Sequence, residues 1–324
     1  MTENNEIMGY KLRHGNAFQV LEEEYDENYF HAVVTDPPYG VVEFETANVE
    51  KMRDGSGGIW RIPPEMEGSK RKPLPRFTVL SESDKEKLRN FFRTFGEAVE
   101  RVVRPGGHVF VATTQLLMHE VSKQLDEAGL ERRDVLVRET KTLRGGDRPK
   151  GAHDHPEYKM VSSMPRVWWE PWLVYRKPFD SRLRDNLGEW ETGGLRRESE
   201  DRPFTDLLEG GKTPNRETEI VEQANPDEED AHPNLKPQYL MRELCHASLP
   251  LRTGTVLDPF MGSGATIAAA EALGYDAVGI EIDETFHEMA QNAIPSLAEV
   301  STPVEEREDL EDISPDTASL DDYT

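Results

Sequence analysis

The sequence predicts an α/β protein built on a mostly parallel, Rossmann-like sheet with a long insertion, and three observations predict it. Short apolar stretches alternate with helical spacing at both ends of the chain. Two of those stretches run into acidic turns, Asp36-Pro37-Pro38-Tyr39-Gly40 early and Asp258-Pro259-Phe260-Met261-Gly262-Ser263-Gly264 late. Such turns mark the carboxyl ends of parallel strands, where ligands bind. Between the halves, residues 139–231 do not continue the alternation.

Taken in order, Tyr10 to Arg13 reads as a strand ending at Gly15-Asn16, Ala17 to Glu24 as a helix, and His31 to Thr35 as a buried strand. Pro37 and Pro38 cannot continue a central strand, so the chain turns there. Residues 41–82 are a polar excursion with several prolines and Gly55-Ser56-Gly57-Gly58; its aromatics and cations (Trp60, Arg61, Lys70, Arg71, Lys72, Arg76, Phe77) fit a lid or a nucleic-acid contact rather than plain disorder. From Asp84 to Val103, Leu88, Phe91, Phe92, Phe95, Val99, Val102 and Val103 follow helical spacing. Pro105-Gly106-Gly107 is expected to stop that helix and His108 to Ala112 to form a short strand, followed by a helix (Leu116 to Ala128) and a strand (Val135 to Val137). Residues 139–166 are basic, Val167 to Tyr175 is an aromatic-rich strand, and residues 178–231 show no period. Order returns at His232, with a helix from Tyr239 to Ser248, a strand from Thr255 to Asp258, a helix from Ala265 to Leu273 and a strand from Ala277 to Glu281. The acidic, proline-containing tail after Ser296 is expected to be disordered.

Charge is the oddest bulk property: 63 Asp+Glu against 38 Lys+Arg give a formal net charge of -25, in a 324-residue chain whose apolar share is only 36%. A nucleic-acid-binding protein normally shows a basic footprint. The acid is spread along the chain and Arg outnumbers Lys. Two readings compete: a protein that binds basic ligands, or a halophilic surface adapted to a salty cytoplasm, in which case the charge says little about the substrate. With Cys245 the one cysteine, no intramolecular disulfide or cysteine-based zinc cluster is available. The polar start (Met1 to Glu6) and the lack of any membrane-length apolar run lead to the expectation of a soluble, cytoplasmic protein with no metal.

The late motif delivers an acid from a strand, then two glycines that let backbone approach a ligand, then a helix N-terminus. About 20 residues on, Glu281 ends the next strand, where a carboxylate accepts hydrogen bonds from ribose hydroxyls. Ile267 breaks the dinucleotide fingerprint and no Gly-Lys-Ser/Thr follows, so a nucleoside suits the site better than a triphosphate. The early motif suits a different task. The amino group of adenine or cytosine is a poor nucleophile because its lone pair is delocalised into the ring. The Asp36 carboxylate and the Pro37 carbonyl can accept its two N–H bonds and localise that pair. Pro38 stiffens the turn, and Tyr39 offers a face for an extruded base. Positioning and electrostatics then suffice. Methylation at cytosine C5 needs a thiolate, whereas Cys245 follows Leu244 within an amphipathic helix and reads as core.

Together, Thr35-Asp36-Pro37-Pro38-Tyr39-Gly40 and Asp258-Pro259-Phe260-Met261-Gly262-Ser263-Gly264, in that order, resemble the permuted β group of the amino-DNA methyltransferases. His232-Pro233-Asn234-Leu235-Lys236-Pro237-Gln238, Gly15-Asn16-Ala17 and Arg104-Pro105-Gly106-Gly107 extend the resemblance over about residues 8–115 and 230–295. It implies a Rossmann-like S-adenosylmethionine-dependent methyltransferase fold with an inserted target-recognition region. The cofactor site would be lined by Asp258, Phe260, Gly262 and Gly264, with Glu281 on the ribose, Asn16 and Ala17 near the cofactor adenine, and Lys236 at the carboxylate end. Asp36, Pro37, Pro38 and Tyr39 would handle the target base.

The resemblance divides the chain into a catalytic half (1–138), a recognition region (139–231), a cofactor half (232–296) and an acidic tail (297–324). Arg144, Arg148, Lys150, Arg166, Trp168 and Trp169 suit a DNA surface, although Trp168, Trp169 and Trp172 also suit a sheet core. The implied partner is double-stranded DNA and the implied activity adenine-N6 methylation, since cytosine-N4 members more often begin the catalytic motif with serine. Cytosine N4 and an inactive DNA-binding homologue remain alternatives. Protein amide methylation is less suited, its motif usually starting with Asn. A cognate restriction endonuclease and a homodimer are compatible with the family, and the sequence decides neither.

Overall fold

The computed structural model describes residues 9–38, 60–61, 74–75, 81–140, 146, 154–162, 164–208, 210–224 and 235–304. Along the chain run β1 (Tyr10–His14), α1 (Ala17–Glu24), β2 (Phe30–Thr35), β3 (Trp60–Arg61), β4 (Leu74–Pro75), α2 (Glu82–Val102), β5 (Val103–Ala112), α3 (Met118–Glu127), β6 (Glu131–Glu139), β7 (Trp169–Arg176), α4 (Leu183–Trp190), β8 (Leu207–Leu208), α5 (Asn215–Ala224), α6 (Gln238–Ser248), β9 (Thr255–Asp258), α7 (Ala265–Ala272), β10 (Asp276–Glu281) and α8 (Glu284–Ala298). Eight strands form one sheet in the order β1-β10-β9-β2-β5-β7-β6-β8, and β3 pairs antiparallel with β4 apart from it. Within the large sheet β7 alone runs against its neighbours; the pairings from β1 through β5, and that of β6 with β8, are parallel.

Both faces of the sheet are covered, so its central strands read as unbroken apolar runs. In β2, Ala32 and Val34 join the core under α6, α7 and α8, while Val33 joins the core under α1, α2 and α3. β5 and β7 divide in the same way, with Phe110, Trp172 and Val174 on the first face and Val109, Val111, Leu173 and Tyr175 on the second. α2 begins with a reciprocal capping box between Ser81 and Asp84, and buries Leu88, Phe92, Phe95, Val99 and Val102 along one stripe.

Three expectations need correction. Pro105-Gly106-Gly107 does not separate a helix from a strand, because β5 starts at Val103 and carries the three residues as a bulge. Its register against β2 jumps from Phe30↔Val103 to Ala32↔His108. Gly106 there has φ +85°, and a side chain on Gly107 would meet the His31 carbonyl at 2.7 Å. The supposedly aperiodic 178–231 contains α4, β8 and α5, which are short and each bury few side chains, so their pattern is weak. The chain also stays packed beyond Ser296: α8 runs to Ala298, and Val300, Thr302 and Val304 are buried. The aromatic strand expected over Val167 to Tyr175 is β7, within the sheet itself, burying Trp172 while leaving Trp168 at 56% exposure. Most of the excursion 41–82, Tyr39, the cations Arg144, Arg148 and Lys150, and the tail from Glu305 lie outside the described residues. Among the described residues no helix is long and apolar enough to cross a membrane, and no group of side chains could hold a metal ion.

Candidate active site

Because β10, β9 and β2 are adjacent and parallel, the acids at their carboxyl ends (Glu281, Asp258 and Asp36) gather along one edge of the sheet. Each is held differently. Asp258 is buried and turned inward, accepting from Thr35 Oγ1 at 2.7 Å, Thr266 Oγ1 at 2.5 Å and the Phe260 backbone N–H at 3.1 Å. Burial pushes its pKa up to about 6; the three hydrogen bonds oppose that rise and the nearby Asp36 carboxylate adds to it. The acid therefore lashes the residue before Asp36 to the turn that opens α7.

That turn uses its glycines for shape. Gly262 and Gly264 adopt φ of +51° and +87°, and a side chain on Gly264 would strike Ile294 of α8 at 2.6 Å. Glu281 braces the turn from the next strand: Oε2 accepts from the Gly262 N–H at 2.9 Å and Oε1 from the Asp283 N–H at 2.9 Å, while its backbone carbonyl accepts from Gly15 N–H at 2.8 Å. The Asn16 side chain caps α1, accepting from the Phe18 and Gln19 N–H groups at 3.0 and 3.4 Å, and Ala17 is buried behind it. Phe260 projects from the turn into a ring cluster, its centroid 5.4 Å from Phe91, 5.7 Å from Phe95 and 6.2 Å from Phe18. Phe18, Phe91 and Phe260 are only partly buried, so they present an aromatic wall beside Glu281 and Asn16.

On the other side of the turn, Lys236 is 5% exposed and bridges two carboxylates, Asp36 Oδ2 at 2.9 Å and Glu170 Oε1 at 2.7 Å. The chain just beyond it is pinned by Gln238, whose backbone N–H donates to Glu217 at 2.9 Å and whose side chain donates to the Ala265 carbonyl at 2.9 Å. Glu170 takes two further donors on Oε2, Arg138 at 3.1 Å and the Trp172 indole at 3.2 Å. Burial alone would raise the Glu170 pKa, but Lys236 and Arg138 outweigh it and hold the carboxyl below its ordinary value. Burial likewise opposes the charge on Arg138, and Glu170 with Tyr239 reverses the balance.

The structure thus joins Asp36, Asp258 and the glycine turn through Thr35, and joins Glu281 to Gly262 and Gly15. Pro37 is buried and Pro38 exposed at the end of β2; Tyr39 lies outside the described residues. Lys236, expected at the cofactor's carboxylate end, points to Asp36, and Asn16 spends its side-chain oxygen on the cap. Cys245 is buried in α6 with its thiol pKa pushed up by that burial. Sequence reasoning missed Thr35 and Thr266 as clasps, Phe18 and Phe91 as ring partners, and Glu170 with Arg138. A lone acid within the apolar strand Trp169–Arg176 was the available signal for Glu170.

The family model described as DNA methylase, for N6 and N4 methylation, matches residues 30–292, from β2 into α8. The Type II methyltransferase M.HindIII of Haemophilus influenzae is 23% identical over 303 residues, covering 86% of this chain and 94% of that protein. Among solved structures, the cytosine-N4-specific PvuII DNA methyltransferase superposes with a TM-score of 0.56 at 14% identity, covering 94% of this chain and 93% of its own. M1.HpyAVI in complex with SAM superposes with a TM-score of 0.50 at 15% identity over 88% of this chain and 99% of that one, a likeness of fold. The match to the family model over most of the chain means that this protein belongs to the N6/N4 family of DNA methylases.

Proposed function

We propose that the protein transfers a methyl group from S-adenosylmethionine to adenine N6 in double-stranded DNA, as a member of the permuted β group. The observation that carries this is the Thr35–Asp258 clasp, which holds the Asp36 turn beside the glycine turn of α7. The residues present fit the cofactor. A partly exposed carboxylate, Glu281, ends the strand next to the turn; aromatic rings flank it; and no lysine of a phosphate-cradling loop is present. Bound there, S-adenosylmethionine supplies an electrophilic methyl on a sulfonium sulfur. Glu281 would accept the ribose hydroxyls, and Phe260, Phe18 and Phe91 would pack on the adenine. At the neighbouring strand end, Asp36 and the Pro37 carbonyl would accept the two N–H bonds of the target amine and draw its lone pair out of the ring, with Tyr39 stacking on the base. Electrostatic preorganisation is the main catalytic contribution, and Cys245 takes no part.

Exposed residues on the segment before β7, among them Tyr158, Lys159, Arg166 and Trp168, form the natural start of a DNA-facing surface. The one specific observation for cytosine N4 as target is the likeness to the PvuII enzyme. Incubation of unmodified DNA with labelled S-adenosylmethionine, followed by mass analysis of the nucleosides, tests the assignment: N6-methyladenine is expected, and N4-methylcytosine would transfer it to the second reading. Asp36→Ala should abolish transfer while leaving cofactor and DNA binding in place. Unchanged methylation by that variant would refute the mechanism.

A further inference from the structure

We infer that Glu170, backed by Arg138, is a positioning residue that sets the charge and reach of the Asp36 carboxylate by sharing Lys236 with it; this rests on the function proposed above. The four groups form a row whose two cations are buried and two acids partly buried: Asp36 after β2, Lys236 before α6, Glu170 in β7 and Arg138 in β6. Two anions alternate with two cations, so the row is neutral overall. Tyr239 meets Arg138 at 3.4 Å, and among the described residues Asp258 is a further acid close to Asp36.

The row matters because Asp36 has two claims on it. A target amine needs the carboxylate as a hydrogen-bond acceptor, and Lys236 needs it as a counter-ion. With Glu170 at 2.7 Å and Asp36 at 2.9 Å, the ammonium is held between two acids instead of collapsing onto one. Sharing the ammonium with Glu170 limits how far Lys236 occupies Asp36. The Glu170 side chain is itself fixed, because Arg138 and Trp172 occupy its other oxygen. Replacing Glu170 with Gln keeps the shape and removes one negative charge. Lys236 would then lean more heavily on Asp36, which competes with the substrate amine, and would lose its proton at lower pH because an anion within contact distance is gone.

The test uses the full-length protein, labelled S-adenosylmethionine and DNA amplified in vitro, which carries no methylated bases. Wild-type transfer and its loss in D36A come first; absence of wild-type transfer would count against the function, not the row. In E170Q, kcat should fall about tenfold to a hundredfold with cofactor affinity unchanged. The alkaline limb of its pH–rate profile should move down by about one pH unit or more. In the E170Q/K236R double variant that alkaline limb should disappear, since a guanidinium does not titrate there. An unmoved limb in E170Q, whether kcat is intact or reduced, would overturn the inference by leaving Glu170 a purely structural role. Should E170Q fail to fold, K236R alone replaces it: disappearance of the alkaline limb supports the row, and an unmoved limb overturns it.

Discussion

Replacing Asp258 with Asn isolates the clasp between the two halves of the site. The buried Asp258 carboxyl has its pKa raised from the ordinary 3.8 to about 6. A raised folded-state value means that the folded protein binds a proton more readily than the unfolded chain. The resulting stability is full below about pH 4 and is lost as the pH rises through about 6. Over the whole titration the difference is worth roughly 3 kcal/mol, at about 1.4 kcal/mol for each pH unit, and roughly 2 kcal/mol of it falls between pH 4 and pH 8. Asp258→Asn cannot titrate, yet it keeps one oxygen to accept from Thr35. Urea unfolding of both proteins at several pH values cancels the other carboxylates. The variant should gain about 2 kcal/mol relative to wild type on going from pH 4 to pH 8. A relative gain below about 1 kcal/mol would show that Asp258 is not the strained acid its burial and partners imply.

Three further outcomes are expected. Phe260→Ala should weaken S-adenosylmethionine binding about tenfold, measured by calorimetry, because it removes the centre of the Phe18–Phe91–Phe260 wall; equal affinity would remove that wall from the cofactor site. Cys245→Ala should leave the methylation rate within about twofold and cost about 1 kcal/mol of stability through lost packing, read by denaturant melts; loss of methylation in a folded variant would revive a thiolate mechanism. From the net charge of -25, transfer to DNA should persist or rise at molar salt, where counterion release contributes little; an optimum at low salt with inactivation above it would refute the halophilic reading.

Chemistry was more legible than topology. Asp36-Pro37-Pro38 and Gly262-Ser263-Gly264 are contiguous, so their backbone demands are written locally and could be read before any fold was known. α1 matches its expected span because Asn16 caps it and Leu21 buries its apolar face. By contrast, the aromatic run Val167 to Tyr175 marks a strand but not its place in the sheet, since its neighbours β5 and β6 are chosen by pairing across the sheet. α8 buries Met289, Ala290, Ala293, Ile294 and Leu297 at helical spacing, a signal that was present and obscured by Pro295 and the acidic tail.

The sequence by itself determined the strand–turn–helix units, the acids that end the strands, the exclusion of thiolate chemistry and the order of the motifs. All but the last depend on residues within a few positions of one another, and the order follows from reading along the chain. Only the tertiary structure decided what those acids do. Asp258 reaches Thr35 across 223 residues and becomes an internal clasp, while Lys236 turns to Asp36 and Glu170. Partners so distant in sequence are selected by burial, where an unpaired charge is too costly to leave and whichever counter-group the fold brings near must be taken.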